Sequence, residues 1–528
     1  MKKLPIGIQS FTDIREGSYL YVDKTAAIYR MISFGKTYLL SRPCRFGKSL
    51  LVSTLEALFC GKKSLFEGLY IYDKWDWTRS NPVVRIDWTL IGHATAKELE
   101  ENLTAYLENI AAGYQLTLDR EYVLGAFVDL IRQLHEKTGE RVVVLVDGYD
   151  VPVLDAVGAA SGELDEICDA LYRLYSALQG SDEHLHLVLF TGLSKVAGIT
   201  LALALDTLND ITLDERYADI CGYTQQELED SFSEYLAEEP KNPSEAGEEP
   251  LAAIRRWYDG YSWDGKTSVY NPHSILLFLQ EKKIRTFWCA TGAPAFLIDL
   301  LKARADVSFL LQPIRVWANL FGVYNPERIE VLPLLFQAGY LTIKEVALDG
   351  WERKYTLAPP NRVVEESLVR NLLMSYADLY LDEAVRLRES MIREVKTCNA
   401  AGLEQSLRAM LAHVPCPLRA DTEPYYHALL QVWLYFIDFK VKGETSADAG
   451  RIYAVGRLPG MAVIARIKYS AEQTLASLIG EPAAQPNDNR QYEAYAAKKI
   501  ILLTAAFTKN EIGCRIEQLA GYSGSPVE

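Results

Sequence analysis

Ser41-Arg42-Pro43-Cys44-Arg45-Phe46-Gly47-Lys48-Ser49 sets the reading of this chain. A short strand-like run, Thr37 to Leu40, precedes it, and an amphipathic run with Leu50, Leu51, Leu55, Leu58 and Phe59 follows. Gly-Lys-Ser between a strand and a helix is the layout of a phosphate-binding loop. Backbone N–H groups at the helix N-terminus face the phosphates, Lys48 supplies positive charge, and the Ser49 hydroxyl reaches Mg²⁺. The tripeptide alone arises by chance, and a tight strand-to-helix turn with a surface lysine would look the same. Context separates the two. Val142 to Val146 is an unbroken apolar run, as in a buried parallel strand. It ends in Asp147, where a carboxylate can hold the Mg²⁺ water shell beside the loop hydroxyl.

Outward from these two motifs, residues 1–235 read as alternating strands and helices. Pro82 to Ile86 and Leu185 to Phe190 are further strands; 95–112, 119–137 and 163–179 are helical. The pattern predicts an α/β fold, a P-loop NTPase domain with a mostly parallel sheet. Thr191, Ser194 and Lys195 then fall at the carboxyl edge of the sheet, where ligands sit in open α/β folds, and a sensor role for Ser194 or Lys195 is one reading of them. Ala237 to Pro250 is acidic and proline-rich, a solvated loop. Residues 251–410 are rich in helical patterns and in aromatics such as Trp257, Tyr258, Tyr261, Trp263, Phe287 and Trp288, and predict a helical middle domain packed on its rings. Residues 420–528 change pattern again. A helix with Tyr425, Tyr426, His427 and Leu430 leads to strands at Arg451–Val455, Ala462–Lys468 and Ile500–Thr504, predicting a small C-terminal α/β domain. The sequence has no internal repeats.

The bulk numbers agree with this division. A chain of 528 residues exceeds one ordinary core. Its net charge of −15 argues against nonspecific nucleic-acid binding by the whole surface, though not against a local basic groove. Eight cysteines without a Cys-x-x-Cys pair predict neither structural disulfides nor a cysteine-based zinc site. Asp13, Arg15 and Glu16 follow the start too closely for a signal peptide, and no apolar run is long enough to span a bilayer. The expectation is a cytoplasmic protein with no membrane partner.

Nine motifs, in order, carry a family resemblance: Leu4-Pro5-Ile6-Gly7, Tyr21-Val22-Asp23-Lys24-Thr25, the Ser41–Ser49 loop, Asp147-Gly148-Tyr149-Asp150, Thr191-Gly192-Leu193-Ser194-Lys195, Ile220-Cys221-Gly222-Tyr223-Thr224, Trp257-Tyr258-Asp259-Gly260-Tyr261, Tyr270-Asn271-Pro272 and Leu335-Phe336-Gln337-Ala338-Gly339-Tyr340-Leu341. Through them nearly the whole chain resembles the bacterial AAA-ATPase-like proteins with a C-terminal PD-(D/E)XK nuclease-like domain, relatives of the STAND and archaeal ATPases. The resemblance implies ATP and Mg²⁺ as cofactors. Arg42, Arg45, Gly47, Lys48, Ser49 and Asp147 are the nucleotide-binding residues, with Ser49 and Asp147 toward the metal. Arg42 in place of the first loop glycine is a trait of the family; Cys44 is a departure from an arginine. A larger departure is Gly148, where the family carries the glutamate that orients the attacking water. Loss of such a base costs on the order of 10²–10⁴ in rate.

The resemblance also implies nuclease positions in the last domain: Glu423 for the helix glutamate, Tyr453 where an aspartate is expected, and Arg466 with Lys468 where Glu-x-Lys is expected. Two metal-binding carboxylates are thus replaced, one by a cation that repels Mg²⁺. No metal-dependent cleavage is expected. The sequence leaves a nucleic-acid or protein partner open through Arg466 and Lys468, and assembly with further copies of the chain. The expected function is an ATP-binding switch with weak or absent hydrolysis and an inactive nuclease-like domain. The competing readings are a working ATPase coupled to nucleic-acid binding, a nuclease using other carboxylates, and an interaction scaffold.

Overall fold

The computed structural model describes residues 1–118, 123–157, 162–195, 205, 207–238, 240–241, 249–287, 313–322, 331–377, 381–412, 439–440, 451–458, 461–469, 474–480, 499–508 and 511–519. The chain forms two compact units: Met1–Phe287 with Arg315–Val363, and Trp288–Ile314 with Val364–Glu528. The stretch 251–410 contributes to both. Among the described residues no helix is long and apolar enough to cross a membrane.

The first unit is built on five parallel strands: β1 (Thr37–Ser41), β2 (Val83–Asp87), β3 (Val142–Asp147), β4 (Leu185–Gly192) and β5 (Asn209–Asp210), in the order β2-β3-β4-β1-β5. Every residue of β1 and β3 is buried, as expected where a parallel sheet is covered on both faces. The helix Ala96–Gly113 shows why its sequence folds as it does. Leu99, Leu103, Leu107 and Ala111 recur every fourth residue and are buried, and the Thr95 hydroxyl caps the first turn by accepting from Glu98 N. The helix Lys48–Phe59 buries Leu51, Val52, Leu55, Leu58 and Phe59, so its N-terminus is fixed by a packed body.

Register places the functional edge. Ser41 pairs with Gly192, Leu40 with Thr191, and Asp147 with both Thr191 and Asp87. Strand ends far apart in sequence therefore finish in one row, with β4 between the loop-bearing β1 and β3.

The Tyr21–Thr25 motif is a brace. Asp23 accepts from Thr25 N, Thr25 Oγ1 and Tyr70 N, while Lys24 Nζ bonds both oxygens of Glu227 at 2.6 Å. Glu227 also closes the capping box with Thr224, tying residues 21–25 to the helix Gln225–Leu236.

The segment read as wholly helical holds a three-stranded sheet as well: β6 (Ile314–Trp317), β7 (Thr342–Asp349) and β8 (Glu352–Ala358), ordered β6-β8-β7. β7 and β8 form an antiparallel hairpin whose two-residue loop begins at Gly350, with φ +65°. Gly260, at φ +110°, passes so close to this region that a Cβ there would lie 2.1 Å from the Pro360 carbonyl oxygen.

In the second unit, β9 (Phe439–Lys440), β10 (Arg451–Leu458), β11 (Met461–Tyr469), β12 (Lys499–Phe507) and β13 (Ile512–Leu519) form a sheet ordered β13-β12-β11-β10-β9. Only the β11–β12 pair is parallel, and the helix Leu475–Gly480 falls between those two strands in sequence. The strands expected at 451–455, 462–468 and 500–504 lie within β10, β11 and β12; β9 and β13 were not expected. The expected helix with Tyr425, Tyr426, His427 and Leu430 lies outside the described residues, as does Glu423.

Gly260→Ala combines left-handed backbone strain with a backbone clash. It should lower the stability of the first unit by about 2–4 kcal/mol, read as a fall in its melting midpoint. An unchanged midpoint would show that the 260 and 360 segments separate freely.

Candidate functional site

β1 ends at Ser41 and the chain turns through Arg45, at φ +65°, to Gly47, at φ +95°, which caps the helix Lys48–Phe59. Gly47 needs its missing side chain for that dihedral angle rather than for space, since a Cβ there would meet nothing within 4 Å. The Lys48 amine donates to the carbonyls of Arg42 and Pro43 at 2.8 and 2.9 Å, drawn over its own loop. Ser49 is half-buried in the first helical turn.

Phe46 points into the protein, edge-on to Tyr261 at 4.8 Å and to Trp263 at 5.3 Å. Its carbonyl accepts from Gly222 N, and Asn271 Nδ2 donates to the Cys44 carbonyl at 3.3 Å. Cys44 itself is exposed.

Arg42 departs from the expected phosphate contact. It is 1% exposed, and its guanidinium donates to the carbonyls of Ser41, Thr212 and Tyr217 at 2.9–3.0 Å while lying 4.0 Å from the Trp263 ring. Burial lowers its pKa to about 10, so it stays charged at neutral pH. Its two terminal nitrogens face carbonyls, and it clips the loop base in place.

At the end of β3, Asp147 Oδ1 accepts from Thr191 Oγ1 at 2.7 Å; its other oxygen has no partner among the described residues. A buried carboxylate with one oxygen oriented and one open fits a Mg²⁺ held largely by nucleotide and water, with Ser49 as the second protein group. Asp87, beside Asp147 in register, is taken up by Thr89 N and Oγ1 and by Arg85.

Asp150 is fully buried and accepts from Leu193 N, Ser194 N and Ser194 Oγ at 2.6–3.1 Å. Burial pushes its pKa up in spite of those donors. Tyr149 adds a bond from its hydroxyl to the Ser194 carbonyl at 2.7 Å. Gly192 allows this approach, because a Cβ there would sit 2.5 Å from Asp150 Oδ1. The possible sensors Ser194 and Lys195 are thereby accounted for. Ser194 holds Asp150, and Lys195, 6% exposed, pairs with Asp210 at 2.5 Å and donates to the Phe321 carbonyl. Burial raises the Asp210 pKa, but the Lys195 ammonium and the hydrogen bonds from Lys195 and Thr212 outweigh it and hold the group below its usual value.

Gly148 has φ +70°, and a Cβ on it would lie 2.9 Å from Val151 Cγ2. The position that the resemblance assigns to a glutamate thus has a backbone that disfavours any side chain.

Beside the loop is an open cavity of about 330 Å³. Pro5, Gly7 and Ile8 line it from the N-terminal segment, Arg45, Lys48 and Ser49 from the loop, and Tyr223 and His273 from later elements. The motifs at 4–7, 220–224 and 270–272 therefore meet at the loop. Sequence reasoning did not single out His273. Asn271-Pro272 is a legible helix start, but the approach of that helix to a loop more than 220 positions earlier is not.

Backbone register brings together some of the positions that the resemblance singles out in the last domain. Tyr453 on β10 is directly opposite Arg466 on β11, and Lys468 is opposite Arg451.

A Gly-Lys-Ser loop at a helix N-terminus, in one row with a strand-end aspartate, defines an ATPase-like protein of the P-loop class. Residues 5–202 match the family described as "Predicted AAA-ATPase". The chain is 35% identical over 531 residues to a protein of Azotobacter chroococcum mcd 1 named "Uncharacterized protein in vnfD 5'region", covering 98% of this chain and 99% of that one. The chain thus belongs with that protein over its whole length, and its residues 5–202 match the predicted AAA-ATPase family.

Gly148→Glu should cost about 1–3 kcal/mol of stability, because the left-handed backbone and Val151 both resist it. Chemical unfolding of the two proteins measures this; equal stability would mean that the 147–151 turn relaxes without penalty.

Proposed function

We propose that this protein is a nucleotide-dependent switch that binds MgATP at the Ser41–Ser49 loop and hydrolyses it weakly or not at all. The observations that carry the reading are Lys48 and Ser49 at the N-terminus of the helix that follows β1, and the half-engaged Asp147 carboxylate at the end of β3 in the same parallel sheet. Lys48 and the first-turn N–H groups hold phosphate oxygens; Ser49 and Asp147 orient the metal. Gly47 and Arg45 shape the loop, and Arg42 fixes its base.

The same geometry supports slow turnover. Gly148 offers no base, Asp150 is enclosed by four hydrogen bonds, and Asp87 is engaged by Thr89 and Arg85. None of these three can polarise a water as a free carboxylate does.

The loop has a route by which occupancy is felt elsewhere in its unit. Lys48 must exchange the Arg42 and Pro43 carbonyls for phosphate oxygens. Those carbonyls belong to a loop locked to Gly222, Tyr261, Trp263 and Asn271. Bound phosphate supplies the negative charge that makes the exchange favourable.

In the second unit we read β10–β13 as a nuclease-like core without its metal carboxylates. Tyr453 on β10 is in register with Arg466 on β11 where acidic residues would be needed, and Arg451 is in register with Lys468. That basic row suits a nucleic-acid or acidic protein partner.

Equilibrium binding of MgATP should be measurable, and Lys48→Ala should weaken it at least about tenfold. No binding, or binding indifferent to Lys48, would refute the switch. Phosphate release should run on the order of 10²–10⁴ below a typical enzyme's ~10 s⁻¹; a rate near that value would make the protein a working ATPase instead.

Incubation with DNA and RNA in Mg²⁺ or Mn²⁺ should give no cleavage. Cleavage that disappears in Glu423→Ala would restore the nuclease reading.

A further inference from the structure

The cavity beside the loop holds a second basic element that the phosphate-loop motif does not include. His273 lies in the first turn of the helix Pro272–Glu281 and lines the cavity together with Arg45, Lys48 and Ser49. We propose that His273, with Arg45, forms a second contact for the phosphate chain of the nucleotide, one that selects for polyphosphate. This rests on the reading of the loop as a nucleotide site.

Three observations point the same way. The first is position. The Asn271 side chain accepts from Ser274 N, capping the helix, and donates to the Cys44 carbonyl at 3.3 Å. Tyr270 and Tyr223 exchange backbone hydrogen bonds at 2.7 and 3.2 Å. His273 is thus held beside the loop by the residues before and after it, and needs no rearrangement to reach a ligand there.

The second is charge. Arg45 comes from the loop and Lys48 from the helix that follows it; Gln9 and Tyr223 add neutral polar groups. Among the described residues no carboxylate lines the cavity. Two helix N-termini, at Lys48 and Pro272, add positive potential. A space with basic walls and no internal counterion is suited to a multiply charged anion.

The third is the state of the imidazole. Burial, and then the Arg45 guanidinium, lower the His273 pKa below its usual value, so the ring is neutral without a ligand at neutral pH. A phosphate oxygen beside it reverses that balance and favours the protonated, donating form. Binding then takes up a proton. The affinity gain is fully present below the ligand-free pKa and is lost as pH rises through the ligand-bound pKa.

The experiment measures dissociation constants of MgATP, MgADP and adenosine from pH 5.5 to 8.5. The proteins are wild type, His273→Gln, His273→Arg and Lys48→Ala. Wild-type affinity for MgATP should fall about three- to tenfold more steeply over this range than that of His273→Gln, a comparison that cancels titration of the nucleotide itself. His273→Arg should bind MgATP tightly across the range with a flat profile, and adenosine should bind all three position-273 proteins alike. Matching pH profiles for wild type and His273→Gln, with binding still dependent on Lys48, would overturn the assignment of His273 and leave the switch reading intact. An equal loss of adenosine and MgATP affinity in His273→Gln would make the residue structural and also overturn it. Absence of Lys48-dependent binding in every protein would refute the switch reading, and this assignment with it.

Discussion

A buried guanidinium governs the site. Moving a cation out of water costs several kcal/mol unless its donors find acceptors. Arg42 finds them in the carbonyls of Ser41, Thr212 and Tyr217, with the Trp263 face completing its surroundings. Those partners come from three separate stretches of chain, so satisfying one charge fixes the end of β1, the segment after β5 and the aromatic segment around residue 263. The Arg42 carbonyl in turn receives the Lys48 amine. The amine of the loop's lysine is therefore held in part by the residue that anchors the loop's base.

This arrangement gives the loop two faces. One side borders the open cavity with Arg45, Lys48 and Ser49. The other side inserts Phe46 between Tyr261 and Trp263 and bonds to Gly222 and Asn271. A change of hydrogen-bond partner on the cavity side acts on a short, tightly packed strip, which has little freedom to absorb it locally. Few residues separate the cavity wall from the packed aromatic cluster.

Local pattern made much of the fold legible. β3 is an unbroken apolar run because both faces of the sheet are covered, and its aspartate falls at the edge because apolar burial stops there. Lys48 and Ser49 were readable because strand, loop and helix are contiguous. β5, only Asn209 and Asp210, is too short and polar to show any period. The β7–β8 hairpin was hidden by the aromatic and helical character of the stretch around it, although Thr342, Ile343 and Val346 are β-branched. β13 had a usable signal in the alternation of Ile512, Cys514 and Ile516. Arg42 and His273 were misread or missed for another reason: their meaning depends on partners between 170 and 230 positions away, which no local period encodes.

Gly148 also bears on descent. Placing a glutamate at this position would set a β-carbon on left-handed backbone and against Val151. A lineage taking that step would need a second change, at or near Val151, before the first could be kept. The glycine therefore acts as a ratchet: any route to a side chain at this position passes through a less stable intermediate, and selection on folding alone would tend to keep the glycine.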